Sequence, residues 1–166
     1  MTINPFSIVY FASALLIVVL IIFLFLKRRG SVSIYVYLLL ACAVIWSFFY
    51  AFELGASNSK DIMYYVQLQY LAITLLPVFF ALYVLKYTGT DKVVNKSFYP
   101  FFFLIPLVTL AMLVSNDVHH LYYAQSTFKT AGRYYYHSFV PGPFYYLHTV
   151  YSYALIIYGV FLLIRS

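Results

Sequence analysis

The chain has 166 residues, 65% of them hydrophobic and 8% charged, with a formal net charge of +6 and a mean hydropathy of +0.91. Water-soluble domains are about 45–50% apolar and about 25% charged, so this chain lacks the polar residues to cover a globule. That excludes a soluble enzyme or a nucleic-acid-binding domain, and it makes the basic excess a matter of charge sorting across a bilayer.

Apolar runs of about 18 residues or more read as membrane-spanning helices. They predict one all-α domain over residues 1–166: a polytopic membrane helix bundle of five spans with a small extracellular β-hairpin. The first span covers 5–26 and stops at Lys27, Arg28 and Arg29. Its flanks lack the basic leader of a secretory signal, and it is too long for a signal core. The second span covers 32–54 and holds the single cysteine, Cys42, so no disulfide framework exists. A polar turn over 55–61 (GASNSKD) leads to the third span, 62–87, where Pro77 predicts a kink.

After a polar loop comes the fourth span, 98–115, with Pro100 near its start and Pro106 inside it. Residues 116–141 form the extracellular loop, in which tyrosines alternate with polar residues around Thr130-Ala131-Gly132. That pattern predicts a hairpin of 122–128 against 133–139. The fifth span covers 142–164, with Pro143 at its first helical position. Seven basic residues (Lys27, Arg28, Arg29, Lys86, Lys92, Lys96, Arg165) flank one side, and three (Lys60, Lys129, Arg133) the other. The richer side is cytoplasmic by the positive-inside rule, which places the N-terminus and the hairpin outside and the C-terminus inside. Tyrosine pairs at the span ends, among them Tyr64-Tyr65, Tyr122-Tyr123 and Tyr145-Tyr146, read as an interfacial belt.

The polar groups inside the spans are the ones that hydrocarbon rejects unless a bundle satisfies them. Trp46, Tyr50 and Glu53 follow i, i+4, i+7 spacing on the second span, and Gln67, Tyr70 and Thr74 share a face of the third, with Gln69 beside them. They suggest a polar cluster between two antiparallel helices at the outer leaflet; the competing reading leaves Glu53 idle among headgroups. Asn116, His119 and His120 follow the fourth span, with Asn116 placed to cap its end. His148, with Tyr151 and Ser152 below it, lies in the fifth. Adjacent histidines without HxH, HxxxH or HExxH spacing argue against a metal site, and no cofactor is implied. There is no GxSxG motif, no phosphate-binding glycine loop and no loop near the roughly 100 residues of a catalytic domain. No catalytic residue is expected.

Taken together, Trp46…Tyr50-Ala51-Phe52-Glu53-Leu54, Gln67-Leu68-Gln69-Tyr70-Leu71-Ala72-Ile73 and Pro77…Tyr87-Thr88-Gly89 resemble the seven-helix N-terminal sensor region of bacterial histidine kinases. Pro106, Asn116…His119 and Gly142-Pro143-Phe144-Tyr145…His148 continue that resemblance, which covers residue 5 to the C-terminus. It implies a bacterial plasma-membrane input module of two-component signalling, with Glu53, Gln69, Asn116, His119 and His148 lining an outward-facing pocket. A kinase or cyclase output domain, and a homodimer formed through it, would lie beyond this five-span chain, which departs from the family's seven. The leading expectation is a ligand site for an extracellular or lipid-borne small molecule at Trp46, Tyr50, Glu53, Gln67, Gln69, Tyr70, Asn116, His119, His148 and Tyr151, with membrane lipid as surroundings. The alternatives are a ligand-free membrane scaffold or interaction subunit, or part of a small-solute carrier.

Overall fold

The computed structural model describes residues 4–27, 32–92, 97, 99–132 and 134–166. Its order is α1 (Pro5–Leu26), α2 (Ile34–Gly55), α3 (Ser59–Tyr87), a 3-10 turn (Thr90–Lys92), α4 (Tyr99–Val114), the one-turn α5 (Asn116–His119), β1 (Tyr123–Ala131), β2 (Tyr134–Pro141) and α6 (Pro143–Arg165). It is an all-α membrane helix bundle carrying one antiparallel hairpin. Arg28, Arg29, Lys96 and Arg133, four of the ten residues behind the orientation argument, lie outside the described residues.

Among the described residues, four helices, α1, α2, α3 and α6, are long and apolar enough to cross a membrane. The fourth expected span is shorter than its 98–115 reading. α4 has 16 residues, about 24 Å at 1.5 Å per residue, against a hydrocarbon core of about 30 Å. It ends where the Ser115 hydroxyl donates back to the Ala111 carbonyl, 2.6 Å away, and the chain turns into α5.

α3 is the centre of the bundle: it packs against α2, α4 and α6, while α1 packs on α2. Half of its most apolar window is buried, against 6% for α1. It begins earlier than the polar turn suggests, because Asn58 caps it. The Asn58 side-chain oxygen accepts from the Asp61 N–H at 2.8 Å, and its amide donates to the Asp61 carboxylate at 2.7 Å. α1 is likewise started by Asn4, which accepts from the Phe6 N–H and also donates to the Leu54 carbonyl at the C-terminal end of α2, 3.1 Å away.

Deep in the bundle, Val78, Leu82 and Leu85 of α3 meet Phe102 and Phe103 of α4 and Tyr151, Leu155 and Leu162 of α6. Gly159 lets α6 approach closely, since a Cβ there would lie 2.7 Å from the Phe80 ring. α3 and α4 each hold an internal proline, Pro77 and Pro106. Proline has no N–H, so each deprives the carbonyl four residues earlier of its helical donor. In α4, Pro106 frees the Phe102 carbonyl, and the Tyr151 hydroxyl of α6 donates to it at 2.5 Å.

The hairpin runs longer than expected, pairing Phe128 with His137 and continuing to Ala131 with Tyr134. Thr130 and Ala131 are thus strand rather than turn, and Gly132 takes a positive φ, +64°, where the chain reverses. Residue 124 makes a bulge, since Tyr123 pairs with Pro141 and Gln125 with Val140. Phe128 packs on Ala56, Ile62 and Val66, so the hairpin sits over the turn that joins α2 to α3.

Candidate functional site

The expected face of α2 splits between neighbours. At 100° per residue, Tyr50 lies about 40° to one side of Trp46 and Glu53 about 20° to the other. Tyr50 therefore turns to α1, its ring edge-on to Tyr10 with centroids 4.6 Å apart. Glu53 turns to α3, where the Gln69 amide donates to its carboxylate at 2.5 Å. Gln69 is buried and Glu53 half-buried, so each satisfies a group that hydrocarbon alone would leave unpaired. Gln67 is half-buried on α3.

Trp46 joins a different group. It lines a groove of about 450 Å³ with Tyr70, Ile73, Leu76 and Pro77 of α3 and Tyr145, His148, Thr149, Ser152, Tyr153 and Ile156 of α6. His148 is 5% exposed. Its ring stands 6.4 Å from that of Tyr70, and the Ser152 hydroxyl lies 3.5 Å from both of its nitrogens, the outer limit of a hydrogen bond. Of the ten expected site residues, the groove brings together Trp46, Tyr70 and His148. Glu53 and Gln69 form a separate pair, and Tyr151 is engaged with the Phe102 carbonyl.

Asn116 and His119 organise the base of the hairpin. Asn116 does not cap the end of α4, as its position in sequence suggested; it opens α5 and clamps the segment that follows. Its side-chain oxygen accepts from the N–H groups of Tyr122 and Tyr123 at 3.0 and 2.9 Å, and its amide donates to the Tyr123 carbonyl at 3.2 Å. His119 Nδ1 accepts from the Leu121 N–H at 2.9 Å, so the ring hydrogen resides on Nε2 and points to the Ser115 hydroxyl, 3.0 Å away. His120 is exposed and left-handed at φ +52°. Gly142 closes the base: its N–H donates to the Tyr122 carbonyl at 2.8 Å, and a Cβ there would fall 2.3 Å from the Leu121 carbonyl oxygen.

This clamp overturns the belt reading for two tyrosines. Tyr122 and Tyr123 are 0% and 1% exposed. They pack with Leu113, Met63 and Tyr145, and burial pushes both phenols well above their ordinary range. The Tyr123 hydroxyl donates to that of Tyr70 at 3.2 Å, which ties the hairpin to the upper wall of the groove. Tyr64 and Tyr146, in contrast, are 59% and 58% exposed, as belt residues are. The signal for the buried pair lay in the Asn116-x5-Tyr-Tyr spacing, which is legible only once the clamp is known. Asn4 was also missed, although an Asn directly before Pro is a standard helix start.

A second cavity, of about 530 Å³, opens between the start of α3 and the hairpin. Ser59, Lys60, Asn116, Asp117, His120 and Gln125 are among its walls. Among the described residues, no three His, Cys, Asp or Glu side chains come together to hold a metal ion.

The fold is that of an all-α membrane helix bundle with polar side chains paired in its interior. Residues 9–166 match the model of the N-terminal 7TM region of histidine kinase, and the chain belongs to that family. It is a membrane-embedded sensor region, not itself catalytic. No curated protein and no solved structure matches the chain.

Proposed function

We propose that this region is the input module of a bacterial histidine kinase or cyclase, and that a small ligand from the bilayer or from outside enters the groove between α2, α3 and α6. The observation that carries the reading is the groove itself. A cavity of about 450 Å³ joining three helices falls within the range of small-molecule sites, and it touches helices that run toward the opposite face. The hairpin roofs it through Tyr123 and Tyr70.

A ligand shifts such a bundle only by binding two packings with different affinity. α6 is the relay in this proposal, because it carries both the groove residue His148 and, one turn below, the Tyr151 bond to α4. Its last turn ends at Arg165, on the side we place in the cytoplasm of the plasma membrane together with Lys27, Lys86 and Lys92. The output domain, and the homodimer it forms, lie outside this chain.

The test uses the intact kinase in its native membrane. Leu76→Trp fills the groove and His148→Ala strips its buried imidazole. Both are expected to change autophosphorylation while leaving membrane abundance unaltered. Normal autophosphorylation in both variants would reject the groove as the input site.

A further inference from the structure

The groove's lining is sorted by depth. Tyr70 beside His148 and Phe80 beside Gly159 hold α3 and α6 side by side, with residue numbers rising together toward the inner face. Tyr145, His148, Thr149 and Ser152 therefore line the outer half, while Leu76, Pro77 and Ile156 line the inner half. From Tyr145 to Ile156 the groove runs about 16 Å along α6. Its flanks, Trp46 and Tyr153, are 45% and 62% exposed, which leaves it open to the bilayer.

Two properties narrow what fits. Among the described residues, no Asp, Glu, Lys or Arg lines the groove, so a charged head would lose its hydration without gaining a counter-ion. Two polar groups also have hydrogen-bonding capacity to spare. His148 is 95% buried, yet among the described residues its one hydrogen-bonding neighbour is the Ser152 hydroxyl at 3.5 Å. Pro77, on the groove wall, leaves the Ile73 carbonyl without its helical donor. The equivalent carbonyl in α4 is served by Tyr151. Ile73 is three residues below Tyr70, the level of His148, or about 4.5 Å deeper along the axis.

We propose that the groove binds an uncharged single-chain lipid alcohol. Its hydroxyl donates to the Ile73 carbonyl and accepts from the His148 imidazole, and its chain lies along Leu76, Pro77 and Ile156. This rests on the reading of the groove as the input site and adds the class of ligand.

The test reconstitutes the full chain in phosphatidylcholine nanodiscs with a diazirine-bearing hexadecanol. Saturable labelling of α3 and α6 peptides is expected. Untagged hexadecanol should compete about tenfold better than palmitate or hexadecyl methyl ether, which respectively add charge and remove the hydroxyl donor. His148→Phe, and Pro77→Ala, which returns an N–H to the Ile73 carbonyl, should each cut labelling about tenfold, with unchanged circular dichroism serving as the folding check. Labelling that does not saturate, equal competition by palmitate or the ether, or undiminished labelling of His148→Phe overturns the proposal. So does loss of labelling in the intact kinase, which would mean that another helix fills the groove. If Leu76→Trp changes kinase signalling but the alcohol does not label, the ligand class falls and the sensor reading stands. If the alcohol labels saturably but Leu76→Trp signals normally, the alcohol site stands and the sensor reading falls.

Discussion

The Tyr151 hydroxyl donates to the Phe102 carbonyl at 2.5 Å, supplying the hydrogen bond that Pro106 takes away from α4. One residue thus repairs a neighbouring helix and locks α6 to it. Tyr151→Phe is expected to lower stability by about 1 kcal/mol, because the carbonyl has no water to turn to at this depth. Pro106→Ala restores the helix's own N–H, so the same Tyr151→Phe change should cost clearly less in that background. Denaturant unfolding of the four proteins in mixed micelles measures the cycle. Equal costs in both backgrounds would show that the hydroxyl does not serve this carbonyl.

The Asn116 clamp should be worth more, since it serves three buried backbone groups at once. Asn116→Ala leaves the Tyr122 and Tyr123 N–H groups and the Tyr123 carbonyl unpaired, and about 3 kcal/mol of local stability should go with them. Hydrogen exchange at those two amides should speed up by about a hundredfold. Asn116→Asp keeps the acceptor and loses only the donor, so its exchange should fall between the two. If Asn116→Ala leaves both amides as protected as before, the clamp is not what holds the hairpin base.

The pH response of the hairpin follows from His137. Burial holds this imidazole below its ordinary value of 6.5. Its Nε2 lies 2.7 Å from the Ser126 hydroxyl, and its ring stacks on Phe128 at 5.2 Å, with Tyr123 on another side. The folded hairpin therefore disfavours the proton. Its stability is full above about pH 6.5 and falls as pH drops from there toward the lowered folded value, where the unfolded segment binds more protons. Amide protection across β1 and β2, taken relative to the intrinsic exchange rate at each pH, should fall between pH 7.5 and 5.5, and His137→Gln should flatten that dependence. A wild-type profile as flat as the variant's would rule out His137 as its source.

How much of this was legible in the sequence depends on the range of the interaction. Span existence was, because hydropathy over about 20 residues is a local property. The length of α4 was not, since the chain from Val114 into α5 stays compatible with helix and only the bond from Ser115 to Ala111 and the turn into α5 mark its end. The Glu53–Gln69 contact followed from matched depth across a short turn. The assignment of Asn116 and His119 to a ligand pocket did not separate binding from scaffolding. An Asn that takes a ligand and an Asn that takes two backbone N–H groups look the same in one dimension. The burial of Tyr122 and Tyr123 was hidden for the same reason: a tyrosine pair beside a span reads as a belt until a long-range clamp pulls it inward.

The Glu53–Gln69 pair gives the sharpest separation of stability from signalling. The amide donates to the carboxylate at 2.5 Å between α2 and α3. Glu53→Leu strands a buried amide and Gln69→Leu strands a carboxylate, so each should cost about 1–2 kcal/mol. The double variant removes both partners and should cost no more than the worse single one, a coupling of about 1 kcal/mol. Glu53→Gln keeps an acceptor for the Gln69 amide and should unfold close to wild type. Unfolding of these four proteins measures the pair, and strictly additive costs would mean that the two side chains do not bond. Autophosphorylation of the intact kinase carrying Glu53→Gln then asks a different question. A stable but unresponsive variant would assign signalling to the carboxylate's charge, whereas a stable and responsive one would leave the pair as a tie between α2 and α3.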